Sequence, residues 1–267
     1  SSMFSRLLYI VVDFASKQDA INACGFEPFF VFSLFAFCII VLLPSCYLRH
    51  FLVKPVSVLL CLGIGFQVLS LFLVPKALIV FVDVGQGDCC LLLSGNESAL
   101  IDTGTIDATK DSLIPVLDYY GVEKIDYCFV SHWDIDHSGG VSTLIEEGYT
   151  DYVYTNQYDE ALEEVEDESI KLMTAGDSKV VGDDISVLAI GDNNDFENSN
   201  DNSLVLSVTC FDTSILFTGD ISSEVELSLV NNESLMDYDI LKVAHHGSRF
   251  STCQSFLDAT LPEFAVI

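Results

Sequence analysis

SHWDIDHSGG, residues 131–140, decides how this chain is read. An apolar run ending in Phe129-Val130 passes straight into Ser131, His132, Trp133, Asp134, Ile135, Asp136 and His137, and then into Ser138-Gly139-Gly140. Four side chains able to ligate a metal fall within six residues, at spacing i, i+2, i+4, i+5. A loop leaving a strand folds such a set around an ion, and the glycines let the backbone turn tightly before the next helix. Two of the five histidines sit here, which a merely solvated turn would not require.

Three more polar turns end apolar runs. LFTGD closes on Thr218-Gly219-Asp220; LKVAHHGS places His245 and His246 before Gly247-Ser248; DVGQGD carries Asp83, Gly85, Gln86, Gly87 and Asp88, and is followed by Ile101-Asp102-Thr103-Gly104. Taken singly, each is as readily a turn former as a site. All the histidines beyond His50 nevertheless lie in these turns, and that joint occurrence is the signal.

Around the turns, short apolar runs predict strands at 77–84, 89–94, 98–103, 126–130, 151–154, 184–190, 203–210, 213–218, 238–243 and 263–267. Helices are expected at 109–120, 139–148, 221–230 and 250–258, a solvated helix face at 159–168 and a polar loop at 191–202. Strands and helices alternate without a strict βαβ period, which suggests an α/β arrangement of sheets covered by helices in layers.

The charge divides at residue 80. Of 40 acids and 11 bases, residues 1–80 hold three acids and five bases, a balance of +2. The remainder holds 37 acids against six bases, a balance of −31. Half of the residues are apolar, with 19 Phe and 10 Tyr, so the acidic part buries a core and is not a disordered tail. The sign also excludes a basic surface that grips phosphate by charge alone.

Residues 29–48 (FFVFSLFAFCIIVLLPSCYL) and 56–74 (VSVLLCLGIGFQVLSLFLV) contain no charged side chain. Each matches the roughly 20 residues a helix needs to cross a bilayer, which predicts two transmembrane helices within 29–76. Residues 1–28 are expected to form an amphipathic or membrane-associated segment, or the tail of an earlier span. Arg49, His50 and Lys54 between the spans favour a cytoplasmic link, which would put everything after Val74 outside the cytoplasm. The nine cysteines give no C-x-x-C framework; Cys89 and Cys90 are adjacent and predicted to point to opposite faces of a strand.

The ordered series DVGQGD, IDTG, SHWDIDHSGG, NDNSLVL, TGD and AHHGS resembles the metallo-β-lactamase superfamily. More closely it is similar to the hydrolase-like domain at the C-terminal end of the ComEC family of DNA-internalisation competence proteins, in which a polytopic membrane domain comes first. The resemblance covers residues 77–267 by motif and 1–76 in architecture only. It implies an αββα four-layer sandwich, C-terminally truncated here because the chain stops within the strand FAVI, preceded by two transmembrane helices. It implies two divalent metal ions: His132 in the first site, Asp136 and His137 in the second, Asp220 bridging, and His245 completing the second in preference to His246. Asp134 stands where the H-x-H-x-D-H signature has its second histidine, and no histidine lies between His137 and His245. Asp201, Asn202, Ser203 or water are the candidates for that missing ligand. Asp136, Asp220 and His246 are the expected catalytic residues, His246 as proton donor to the leaving oxygen. Asp88, Asn202 and Ser248 are expected to orient ligands or substrate.

A first site with one imidazole and otherwise oxygen ligands is expected to be weaker and harder than a three-histidine zinc site, favouring Mn²⁺ or Mg²⁺ over Zn²⁺. The resemblance implies a multi-pass component of the cell membrane, with partners in single-stranded DNA, the bilayer, other competence proteins and the rest of the same polytopic chain. Its extracytoplasmic domain would be a metal-dependent phosphodiesterase. Two alternatives stand beside this: a non-catalytic transport component, and a membrane-tethered hydrolase of lactams or lactones. The acidity weighs against a nuclease, since only Lys242 and Arg249 provide positive charge near the proposed site.

Overall fold

A computed structural model of the chain describes residues 57–58, 61–63, 76–156, 167–191, 196, 198–232 and 234–267. The expectations for residues 1–28, 29–48 and most of 56–74 lie outside the described residues, as does most of the acidic stretch 159–168. Among the described residues no helix is long and apolar enough to cross a membrane. The sheets and the helices that flank them belong to the compact unit Lys76–Ile267.

Two six-stranded sheets form this unit. The first has the order β1 (Ala77–Phe81), β2 (Cys90–Ser94), β3 (Glu97–Ile101), β4 (Tyr127–Phe129), β5 (Val153–Thr155), β6 (Ile170–Leu172). The second runs β12 (Phe264–Val266), β11 (Ile240–Lys242), β10 (Thr213–Phe217), β9 (Val205–Cys210), β8 (Ile185–Ile190), β7 (Ser178–Val181). In the first sheet β1, β2 and β3 pair antiparallel and β3 to β6 parallel. In the second, β7 to β10 pair antiparallel and β10 to β12 parallel. The helices are α1 (Ile106–Ala108), continuing through a π turn (Thr109–Leu113) into α2 (Ile114–Tyr120), then α3 (Ile135–Ser138), α4 (Val141–Glu146), α5 (Ser223–Asn231) and α6 (Gln254–Thr260).

The pleat explains the layering. Successive strand residues face opposite ways, so β2 sends Leu92 into a core shared with Val187, Leu206 and Ile215 of the second sheet. Its neighbour Leu91 enters a core shared with Leu113, Leu117 and Leu144 of the helical layer. Both leucines are fully buried, each contributing about 1.5–3 kcal/mol of burial. Cys89 and Cys90 divide between the same two cores, as their adjacency predicts. On the far side Leu216 and Leu241 pack with Val225, Leu229 and Phe256 of α5 and α6. Strands buried on both faces read as unbroken apolar runs, and three cores between four layers give the expected αββα sandwich.

Two strands escape the sequence pattern. β6 is three residues at a sheet edge with Lys171 and Leu172 exposed, and β7 is an edge strand with Ser178 and Val180 exposed. Short, partly charged edges bury too little to leave a periodic signal. The helices expected at 139–148 and 250–258 begin elsewhere, at Ile135 with a break before Val141, and at Gln254.

Candidate metal centre

Each of the four turns follows a strand or its immediate extension, and backbone hydrogen bonds lock them together. Asp88 N donates to Asp136 O (3.1 Å), Thr103 N to His137 O (2.7 Å), Gly104 N to Asp88 O (2.9 Å) and His245 N to Gly219 O (3.2 Å). Gly87 is needed for this closure. It has φ +114°, and a Cβ there would run into the carbonyl of Asp136. His245 and His246 both adopt left-handed conformations, at φ 50° and 51°, a strain of order 1–3 kcal/mol for each non-glycine residue and typical of functional sites.

The turns bring His132, His137, Asp220 and His246 into one cluster. His132, His137 and Asp220 are all buried and each offers a ligand atom within 4.8 Å of the others'; Asp88, His137 and His246 form a second such group. His246 Nε2 stands 3.3 Å from Asp136 Oδ2, 3.4 Å from His137 Nε2 and 3.7 Å from Asp220 Oδ2. His245 is more remote, its Nε2 3.9 Å from Asp220 Oδ2 and its side chain 45% exposed. Asp134 lies at the rim, half exposed, 3.7 Å from His132 Nε2.

Asn202 and Ser248 are engaged by neighbouring backbone. The Asn202 amide is occupied by both backbone groups of Phe196, at 2.8 Å each, and Ser248 Oγ accepts from Phe250 N. Of the other candidates for the absent mid-chain ligand, Asp201 accepts from Ser222 N (2.7 Å). Ser203 Oγ accepts from Asp220 N (3.1 Å) and donates to Asn200 O (2.6 Å). These residues hold the segment that presents Asp220.

Two supporting residues had no role assigned from sequence. Asp102, buried and at φ 58°, accepts from Ser131 N (2.7 Å) and Ser131 Oγ (2.8 Å) and meets His137 Nδ1 at 2.9 Å. When His137 Nδ1–H donates to Asp102 in the neutral ring, the Nε2 lone pair faces the cluster, the arrangement by which metal-ligating imidazoles are usually oriented. Lys242, also buried, donates to Asp88 Oδ1 at 2.7 Å, and the same carboxylate stands 3.4 Å from His246 Nδ1. The IDTG motif was the available sign of Asp102; Lys242 was legible as a positive charge near the site, but not as the partner of Asp88. A cavity of about 20 Å³ lies between these supports, lined by Asp88, Asp102, Ser131 and Lys242 among apolar groups, enough for one water.

The electrostatics mark a place for positive charge. Burial opposes charging His137, but Asp102 and Asp220 outweigh it and push its pKa up to about 11. Burial likewise opposes ionising Asp220, yet His137 beside it draws the carboxyl down to about 2. Burial and the neighbouring His137 lower the pKa of His132. The hydrogen bond to Asp88 raises that of His246. Two buried atoms, His132 Nε2 and Asp220 Oδ1, have no hydrogen-bond partner; Oδ1 lies 3.3 Å from His137 Nε2 without forming a proper bond. Such an atom costs about 1–3 kcal/mol unless something satisfies it. An imidazole lone pair and a carboxylate oxygen aimed into one space are satisfied together by a divalent cation, so the residues present fit the metal.

Comparison with known proteins agrees with this geometry. The model of the metallo-beta-lactamase superfamily matches residues 82–267. Competence protein ComA of Neisseria gonorrhoeae is 31% identical over 194 residues, covering 72% of this chain and 27% of that protein. ComE operon protein 3 of Bacillus subtilis is 26% identical over 212 residues, covering 70% and 27%. Recombination protein 2 of Haemophilus influenzae is 29% identical over 191 residues, covering 70% and 23%. The chain spans about a quarter of the length of these relatives. Among solved structures, a B3 metallo-beta-lactamase with an active-site glutamic acid superposes with a TM-score of 0.51 at 15% identity, over 69% of this chain and 86% of the other, a likeness of fold alone. Four turns converging at one end of an αββα sandwich, the family match and the competence relatives lead to one conclusion: the chain belongs to the metallo-β-lactamase superfamily, in the form carried by ComEC-type competence proteins.

Proposed function

We propose that residues 77–267 are a metal-dependent phosphodiesterase domain of a membrane-anchored DNA-uptake protein, acting on single-stranded DNA outside the cytoplasm. The observation that carries this reading is the pair of unpartnered buried atoms, His132 Nε2 and Asp220 Oδ1, on side chains that face one another beside His137. The names of the competence relatives supply the biological setting. His137, whose Nδ1 is taken by Asp102, has one nitrogen to give: with His132 and Asp220 it would hold one divalent ion, and His246 with Asp136 and Asp220 are the donors nearest to a second; Asp134 adds an oxygen donor at the rim. Mn²⁺ and Zn²⁺ both suit this mixed donor set, with Mg²⁺ a third option. When bound, the ions supply Lewis acidity toward a phosphoryl oxygen and a water of lowered pKa.

The chain's own residues do the rest. Asp102 fixes the ring of His137, and Ser203 fixes the backbone of Asp220. Asp88 orients His246 through Nδ1, leaving Nε2 toward Asp136. In this reading His246, rather than His245, belongs to the ligand set, because it is closer to Asp136 and Asp220. With Nε2 given to the metal and Nδ1 held by Asp88, His246 has no proton left for a leaving oxygen, so in this reading it is a ligand and not the proton donor.

A second reading, a metal-binding transport component without turnover, is favoured by the −31 balance of this half. One experiment separates the two. The full chain in detergent, loaded with Mn²⁺ or Zn²⁺, is given end-labelled single-stranded DNA, with anomalous scattering at the metal edges identifying the ions. Cleavage by the wild type that is lost in Asp220→Ala supports the phosphodiesterase; bound metal without cleavage refutes it.

A further inference from the structure

We propose that Phe250 and Arg249 form a stacking platform for an unpaired nucleobase at the edge of the metal centre. This platform presupposes the nucleic-acid substrate of the proposed function and names the group that would hold the strand.

Arg249 is the only arginine after Arg49, in a half of the chain that carries −31. Its guanidinium lies over the ring of Phe250 at 4.5 Å from the centroid, while Phe250 stays 65% exposed. Isolated exposed apolar residues are ordinary, but this one is held in place with unusual thoroughness. Its carbonyl accepts from both Ser223 N and Ser223 Oγ, at 2.9 Å each. On its N-terminal side Phe250 N donates to Ser248 Oγ at 3.3 Å. On its C-terminal side Ser251 Oγ, in a buried residue, donates to Ile221 O at 2.8 Å. Beyond that the fully buried Glu226 accepts from Thr252 N (2.6 Å) and Cys253 N (2.8 Å).

The anchors on Ile221, Ser223 and Glu226 belong to the segment that directly follows Asp220, so the loop bearing Phe250 is fastened to the element that delivers a proposed ligand. Phe250 is four residues from His246, at most about 14 Å along a fully extended chain. The turns Ser248 N to His245 O and Ser251 N to Ser248 O shorten that path. A base on the platform would therefore belong to a nucleotide close to the phosphodiester at the centre.

The chemistry selects the ligand. An aromatic face backed by a guanidinium attracts a flat π-system, and base stacking on such residues is the usual means of holding single strands without reading sequence. The stacking itself depends on a π-face and one cation rather than on many. Bases paired in a duplex are stacked on one another and cannot take up the position.

The test uses fluorescently labelled strands of equal length and charge, one with bases and one abasic, bound by anisotropy to the full, metal-loaded chain in detergent. Phe250→Ala is expected to weaken binding of the base-bearing strand roughly 5- to 100-fold, the scale of one stacked base. It should leave the abasic strand unaffected, and Phe250→Trp should restore binding. Equal losses on both strands, or no loss on either, overturn the platform. Its failure is distinct from that of the enzyme. Cleavage by the wild type together with a Phe250→Ala variant that binds both strands as the wild type does removes only the platform. Base-dependent binding without cleavage keeps the platform and removes the phosphodiesterase.

Discussion

Replacing Asp102 by asparagine tests how the centre is held. The carboxylate accepts at Oδ1 from Ser131 N and meets Ser131 Oγ and His137 Nδ1 at Oδ2. An amide keeps one oxygen and turns the other into a donor. Placed at Oδ1, the NH₂ faces the Ser131 N–H and strands two buried donors, costing about 1–3 kcal/mol for each unsatisfied group. Placed at Oδ2, it can be accommodated by rotation of the Ser131 hydroxyl, but the His137 ring must then accept at Nδ1 and carry its proton on Nε2. That proton occupies the lone pair aimed at Asp220 and His246. The cheaper orientation therefore spoils the ligand, and loss of such a supporting carboxylate lowers metal affinity about 10- to 100-fold.

The expected result for Asp102→Asn is a fall in stability of about 2 kcal/mol in urea unfolding, with that loss of affinity in calorimetric titration with Mn²⁺ or Zn²⁺. Protons give an independent reading. Asp102 and Asp220 hold the His137 pKa at about 11, so at neutral pH an incoming ion must displace a proton. Metal affinity then falls as pH drops, and titrations in buffers of different ionisation enthalpy should register proton release. The asparagine variant should release less. Unchanged affinity and unchanged proton release in a folded Asp102→Asn protein would refute the argument.

Gly87→Ala places a methyl group against the Asp136 carbonyl at a φ that L-residues avoid; about 1–3 kcal/mol of stability should be lost and metal affinity with it, measured by thermal unfolding with and without added Mn²⁺. His246→Ala should weaken metal binding far more than His245→Ala, since His246 is closer to Asp136 and Asp220; equal effects in calorimetry would count against the proposed ligand set. Glu226→Gln should destabilise by about 1–3 kcal/mol, because one of the Thr252 and Cys253 amides loses its acceptor. Burial raises the Glu226 pKa, so the folded chain holds this proton more tightly than the unfolded one.

Much of this was legible in the sequence because the fold presents the proposed ligands at strand ends. A strand buried on both faces reads as an apolar run, and the polar residues that end it stand out: His132 and His137 after β4, Asp220 after β10, Asp88 before β2. What was not legible is what depends on neighbours brought by the sheets. Asp102 follows β3 and meets His137 only because β3 and β4 are parallel neighbours, with Ile101 opposite Phe129. Lys242 reaches Asp88 across two sheets, an ion pair with no trace in spacing. The choice between His245 and His246 turns on two consecutive left-handed residues, a conformation that composition disfavours and only the surrounding turns impose. The bonds of the Asn202 amide to both backbone groups of Phe196 likewise depend on a loop conformation that spacing does not reveal.

The acid balance of −31 also makes a prediction about salt. A protein that binds nucleic acid with basic residues releases counterions and loses affinity steeply with salt, with a slope of about −0.7 per phosphate neutralised on a single strand. Here the lysine near the centre is already committed, Lys242 to Asp88, and Arg249 is the remaining cation beside it. Beyond the centre a strand meets carboxylates, whose repulsion is screened over about 8 Å at physiological ionic strength. Added salt weakens that repulsion while barely touching base stacking or metal contacts at short range. Affinity for single-stranded DNA at saturating Mn²⁺ should therefore be flat or rise as NaCl goes from about 50 to about 200 mM, as measured by anisotropy on this chain, and removal of the metal should abolish binding at every salt concentration. A steep negative slope would mean that basic side chains neutralise the strand, and the claim that metal ions and one aromatic platform replace a basic groove would fail.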